Sequence, residues 1–268
     1  MPIARAIRQV QRGVLSTTLW RGLAGIALFI ALWEIASLLK VSFLRLVPPP
    51  HVVFENVIET VQTPAYWSAV YISAKRVAIG YVIGTVLGVP VGLAFGLSRL
   101  FKNTFFPVFE TLRPIPPLAW VPLSILVWPT TEQTVISIIF LGCFFTVVIN
   151  VLGGVETLDI RYLRAALSMG ASRWQVFWRV VLPATSPSIF TGMAIAIGLT
   201  WEIVVAAAMV SSIGFGQTGL GAMMWQAYVG GLIPLIITAM ISIGLAGLAF
   251  SALIWRIGAY ATRWRRQM

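Results

Sequence analysis

Ionisable chemistry is nearly absent from this sequence. Its 268 residues include one cysteine (Cys143), one histidine (His51) and one aspartate (Asp159). A metal site or a hydrolytic centre needs several such groups converging, so neither is expected, and a single thiol excludes an internal disulfide. Charge is scarce too: 10% of residues are Asp, Glu, Lys or Arg, against about 25% in a soluble domain. With 59% apolar residues and a mean hydropathy of +0.91, a water-soluble enzyme is excluded. No charged block is long enough to fold separately in water, so residues 1–268 read as one transmembrane domain.

What the chain does have is long uncharged runs. A helix crossing about 30 Å of hydrocarbon needs about 20 apolar residues. Gly22–Leu39 supplies the first, and the basic stretch before it, without a small-residue cleavage site after it, predicts a retained anchor rather than a cleaved signal. Val77–Leu97 is the second, Phe105–Trp128 the third and Gln133–Val155 the fourth. Ile203–Trp255 holds 53 residues without a charge, too long for one crossing. It must fold back at the turn-rich Ser211–Gly219, giving a fifth span near Pro187–Val210 and a sixth near Leu232–Trp255. The expectation is an all-α membrane protein with six transmembrane helices.

The basic excess, 19 Lys and Arg against 8 acids, would point to nucleic acid in a soluble chain. Here topology explains it, and no nucleic-acid partner is expected. With the N-terminus inside, 14 basic residues fall on inner segments and 4 (Lys40, Arg45, Lys75, Arg76) on outer ones, Arg113 lying within a span. Basic residues collect on the cytoplasmic side, so both the basic tail 1–21 and the basic tail 256–268 are expected in the cytoplasm. Residues 48–73 fall outside, with an amphipathic surface helix from Val52 to Val61. His51 there is a solvated or helix-start residue, since one histidine cannot build a metal site.

Four features could carry function. Gly80, Gly84, Gly88, Gly92 and Gly96 recur every four residues along the second span, either as a close helix-packing stripe or as a moving wall. Five prolines between Pro107 and Pro122 break the third span, which survives in lipid only beside neighbours or a watery cavity. Glu110 and Arg113 there can pair on one face or meet a substrate. Glu202, inside the fifth span, is either functional or neutralised by a partner such as Arg113. Glu110, Arg113, Pro116, Trp120, Thr200 and Glu202 are therefore candidates for a translocation pathway. The fourth feature lies at 156–183, where apolar residues from Ile160 to Val181 keep helical spacing among four arginines and two serines, and Gly170 is placed to break the run. Such an element on the cytoplasmic side is a membrane-surface helix or a partner's docking site.

The residues of this segment carry a resemblance. Arg164-Ala165-Ala166, then Gly170, Val180, Leu182 and Pro183, resemble the Glu-Ala-Ala loop signature of bacterial ABC importer permeases, with Arg164 standing where the family usually has glutamate. Leu112–Leu123, Trp33-Glu34 and the glycine ladder are similar to the branch that carries nitrate, sulfonates, taurine and bicarbonate. The resemblance implies the type I importer permease fold in a bacterial inner membrane. It also implies a pore built with a second permease, as a homodimer, above two cytoplasmic ATPase subunits and below an external solute-binding protein. Arg161, Arg164, Ala165, Ala166, Gly170, Ala171, Trp174, Leu182 and Pro183 would form the ATPase-coupling loop. The permease itself would hold no catalytic residue and no cofactor, ATP and magnesium being bound by the partners. The competing class, a self-sufficient channel or secondary transporter, calls for inverted repeats with matching broken helices, and only one proline-broken segment occurs.

Overall fold

The structure, a computed structural model, describes residues 2–39, 46–211 and 219–262, with side chains described from Trp20 on except at 209–211. Among these the chain is helical, with no strand. α1 runs Pro2–Leu38, α2 Pro50–Val61, α3 Pro64–Leu97 and α4 Arg99–Leu112. A 3₁₀ turn, Pro117–Trp120, leads into α5, Val121–Val127. α6 spans Thr131–Glu156, α7 Ile160–Ser168 and α8 Arg173–Val176, and a wide π turn, Phe177–Val181, continues into α9, Leu182–Ser211. α10 (Leu220–Val229) and α11 (Ile233–Ala261) complete the order.

Hydroxyl caps mark the helix starts. Thr63, Ser98 and Thr130 each accept the backbone N–H three residues on, satisfying a donor that a helix start leaves open. Five helices among the described residues are long and apolar enough to cross a membrane. The expected third span, Phe105–Trp128, departs from that form and is split into α4 and α5. Pro114, Pro116 and Pro117 remove backbone donors, and Pro116, which precedes another proline, is held extended at ψ 138°. The second span is longer than expected, because helix begins at Pro64 and absorbs residues 64–73 of the external segment. At 34 residues it measures about 50 Å, longer than the roughly 30 Å of hydrocarbon. Lys40, Arg45, the expected turn at 212–218 and Arg263, Arg265 and Arg266 lie outside the described residues, as do the side chains of Arg5, Arg8 and Arg12.

The glycine stripe explains the centre of the fold. A Cβ on Gly80, Gly84, Gly92 or Gly96 would lie 2.5–2.8 Å from Ile139, Cys143, Val151 or Val155, and one on Gly88 would lie 3.1 Å from Val147. Both partners advance by four residues in the same direction, so α3 and α6 run parallel with their backbones in close approach. Each step of four overshoots a full turn by about 40°, so the two helices wrap around one another to stay in register. α9 returns antiparallel on α6: Gly154 meets Ser188, Gly192 meets Asn150, and Gly142 meets Ile203. α11 then descends along α9, with Gly258 against Phe190 and Gly247 against Trp201. α6 is the central helix, with Ile138, Ile139, Cys143, Val147 and Val151 fully buried.

The remaining helices attach at the edges. Asn56 of α2 accepts from the Thr238 hydroxyl, and Tyr66 donates to Ser242, both at 2.9 Å, tying α2 and the start of α3 to α11. α1 is exposed along its apolar length, the state of a helix that meets lipid or another chain. Its polar link is Glu34 to His51 Nδ1, at 2.8 Å, which places His51 at the exposed start of α2.

Candidate functional site

The first region of interest is the elbow between α6 and α9. Asp159 caps α7 by accepting the Arg161 backbone N–H at 2.9 Å, and its carboxylate also takes the Arg161 guanidinium. Those side-chain and backbone bonds hold the Asp159 carboxyl below its usual range. α7 stops at Gly170, whose φ of +82° is a left-handed conformation that favours glycine. Ser172 and Gln175 then form a reciprocal capping box that starts α8. Inside the elbow Ala166, Val176 and Val181 make a small core, joined by Leu163, Ala171 and Phe177. The elbow is thus a self-packed unit rather than a loose loop.

Its outer face is apolar and uncovered. Met169 is 82% exposed, Tyr162 70% and Trp174 69%. Arg164 and Ala165 are exposed beside them. Trp174 stacks on Phe177 and meets Trp178 edge-on, with ring centroids 6.0 and 5.4 Å apart, so the aromatic cluster is held in place. Of the loop residues named from the sequence, Arg161, Arg164, Ala165, Gly170 and Trp174 are exposed, Ala166 is buried, and Ala171, Leu182 and Pro183 are half-buried at the joint with α9. A face that sets exposed arginines beside fixed, exposed aromatics is suited to docking on a protein surface.

The second region is a cavity of about 470 Å³ among the α4–α5 connection, α6 and α9. It brings together three of the pathway candidates, Arg113, Pro116 and Glu202. It leaves out Glu110, which is exposed on α4, and Trp120. Thr200 is fully buried and donates to the Ile197 carbonyl at 2.8 Å, turned away from the cavity. The expected pairings of Glu110 or Glu202 with Arg113 are not made. The ion pairs among the described residues are His51–Glu34, Arg76–Glu132, Lys102–Glu156 and Arg161–Asp159. α6 adds Gly142, Phe145, Thr146 and Ile149 to the wall. These went unnoticed because the fourth span carries no charge; the signal was Thr146 and Asn150, two polar residues one turn apart in an apolar helix.

A third feature was also missed. Arg76, counted among outer surface charges, is only 3% exposed. Its Nε donates to both Glu132 oxygens at 3.1 and 3.0 Å, and its Nη2 donates to the same carboxylate. One turn earlier the Ser73 hydroxyl accepts the Leu220 N–H at 2.9 Å, so the same face of α3 anchors the start of α10. Gly219, at φ +103°, sits close enough that a Cβ would lie 3.0 Å from the Ser73 hydroxyl. α10 itself went unassigned in the sequence, because its apolar run is continuous with the spans on either side.

Residues 84–267 match the family described as "Binding-protein-dependent transport system inner membrane component". The nitrate import permease protein NrtB of Leptolyngbya laminosa is 38% identical over 182 residues, covering 68% of this chain and 64% of that protein. The bicarbonate transport system permease protein CmpB of Synechococcus elongatus is 35% identical over 254 residues, 90% of this chain and 87% of that one. The taurine transport system permease protein TauC of Escherichia coli is 31% identical over 239 residues, with 87% and 83% covered. Among solved structures, a chain of the inward-facing MetNI methionine ABC transporter superposes with a TM-score of 0.63 at 21% identity, over 75% of this chain and 99% of that chain. At that identity the likeness concerns the fold alone.

Proposed function

The chain belongs to the binding-protein-dependent transport system inner membrane component family, and on that premise we propose that it is the pore-forming permease subunit of an ATP-driven importer of a small anion. Its fold is the type I ABC importer permease fold, and it is a multi-pass membrane protein. The nitrate, bicarbonate and taurine permeases among its relatives support a substrate that is nitrate, bicarbonate or a sulfonate such as taurine. Two permeases enclose the pathway, two cytoplasmic ATPases bind ATP and magnesium, and an external solute-binding protein delivers the substrate. The permease contributes no catalytic group. Both termini face the cytoplasm, in keeping with the 14-to-4 split of basic residues.

The observation that carries this reading is the elbow. A rigid unit with an uncovered aromatic face is joined directly to the feet of α6 and α9, the two long helices that wall the cavity. Force applied to such a unit by closing ATPases is passed to both helices, because the self-packed elbow cannot absorb it by bending. The α3–α6 seam carries α3 along with α6. Acidic residues on the ATPase would meet Arg161, Arg164 and Arg173.

The test is uptake into vesicles holding the permease with its ATPase and binding protein. Replacing Gly170 by valine forces a β-branched residue into a left-handed conformation, at a local cost of about 1–3 kcal/mol. The side chain enters open space, with nothing within 4 Å, so the membrane fold survives. ATP-driven uptake is expected to fall at least tenfold while the protein remains monodisperse. Uptake at the unaltered rate would remove the elbow from the coupling.

A further inference from the structure

The cavity beside the broken third span holds one cation and one anion, Arg113 and Glu202. Both side chains are exposed, and neither takes part in an ion pair among the described residues. The wall around them is apolar apart from Thr146, whose hydroxyl donates to the Gly142 carbonyl at 2.8 Å. Gly142 and Thr146 belong to the central turns of α6, so the site lies within the membrane domain. A charge held there calls for a counter-charge. An inorganic anion would satisfy Arg113 and be repelled by Glu202, and a cation would meet the reverse.

A molecule carrying both charges satisfies both residues. We propose that this cavity is a waypoint for a small zwitterion, one with an acid group and an ammonium on a short skeleton, such as an aminosulfonate or an amino acid. Arg113 receives the sulfonate or carboxylate through its planar donor fork, and Glu202 receives the ammonium. This rests on the importer reading and narrows its substrate: an aminosulfonate is favoured over nitrate or bicarbonate, for which Glu202 is a liability. The volume, about 470 Å³, is within the range of small-molecule sites and leaves room for water around a short skeleton.

The experiment compares ATP-driven uptake of radiolabelled taurine and nitrate by vesicles holding the complete transporter. Wild type is expected to prefer taurine. Glu202→Gln should lower the taurine-to-nitrate ratio at least tenfold, and Glu202→Asp, which keeps the charge, should hold the ratio within threefold of wild type. Arg113→Gln should lower uptake of both. The binding protein is common to all variants, so a changed ratio reports the permease. Preference for nitrate in wild type, an unchanged ratio in Glu202→Gln, or an equal loss in Glu202→Asp would overturn the zwitterion assignment and leave the importer standing. Absence of ATP-driven uptake of taurine, nitrate and bicarbonate alike would overturn the importer reading itself.

Discussion

The α3–α6 seam and the α6–α9 elbow both depend on glycine, for opposite reasons. In the seam, glycine has ordinary helical geometry and no room: a Cβ on Gly96 would lie 2.5 Å from Val155. At Gly170 there is open space, and the constraint is the backbone itself, at φ +82°. One region is closed against another helix along its whole length, while the other turns its apolar face outward. A side chain added to the seam must separate two helices; one added at Gly170 distorts a single turn. The difference separates the part of the molecule that holds its shape from the part proposed to meet a partner.

The largest effect should come from the seam. Gly92→Leu pushes a side chain into Val151 and the Val148 carbonyl, both under 3 Å from the added Cβ. No monodisperse protein is expected on size-exclusion chromatography in detergent. Gly92→Ala should be milder, with a loss of about 1–3 kcal/mol read as a lower thermal midpoint. A fully stable Gly92→Leu protein would mean that the seam is not tightly closed.

The Arg76–Glu132 pair comes next. Arg76 is buried while Glu132 is half exposed, so removing the acid leaves a buried cation without its main partner. Water reaching the Glu132 side screens the loss, and Glu132→Gln is expected to cost about 1–2 kcal/mol, read by thermal unfolding. No shift in the midpoint would show that the pair adds nothing to the seam near the start of α6.

The elbow should show the reverse pattern, with small stability effects and large partner effects. Trp174→Ala removes a side chain that is 69% exposed, so unfolding should change by under about 1 kcal/mol. Affinity for the ATPase subunit should fall at least tenfold, measured by retention on the immobilised partner. A large loss of stability with undiminished binding would invert the comparison. The smallest effect concerns Asp159. Its carboxyl is held below the ordinary value of 3.8 by Arg161, so its contribution to α7 is intact above that value and is lost only as pH falls through the lowered one. Elbow-specific tryptophan fluorescence should therefore be flat from neutral pH down to about 4.

Much of this was legible from the residues. Long uncharged runs fixed the membrane class, and the four-residue glycine spacing marked the helix face that packs most closely. The proline cluster marked the break at Arg113–Pro116, though not that α4 and α5 would be separate helices. Gly170 was readable as a break because its neighbours kept helical spacing on both sides. The partner of the glycine stripe was hidden, since Ile139, Cys143, Val147, Val151 and Val155 look like any other apolar positions in α6. Arg76 was misplaced because a charge near a helix start looks solvated until its partner, 56 residues away, is known. Thr200 was grouped with Glu202 by sequence proximity, yet two helical positions apart is about 200° around the axis, and its hydroxyl turns inward.

The most direct measurement uses the single native cysteine, Cys143, which is buried and so leaves the surface free for an engineered thiol. Ala165→Cys and Met169→Cys each put a thiol on the exposed elbow face. In vesicles holding the assembled transporter, a short bifunctional thiol-to-amine cross-linker should join either variant to the ATPase subunit, with the yield changing when ATP is added. Cross-linking to no other polypeptide, with label accessible only from the lipid phase, would contradict the coupling role of the elbow.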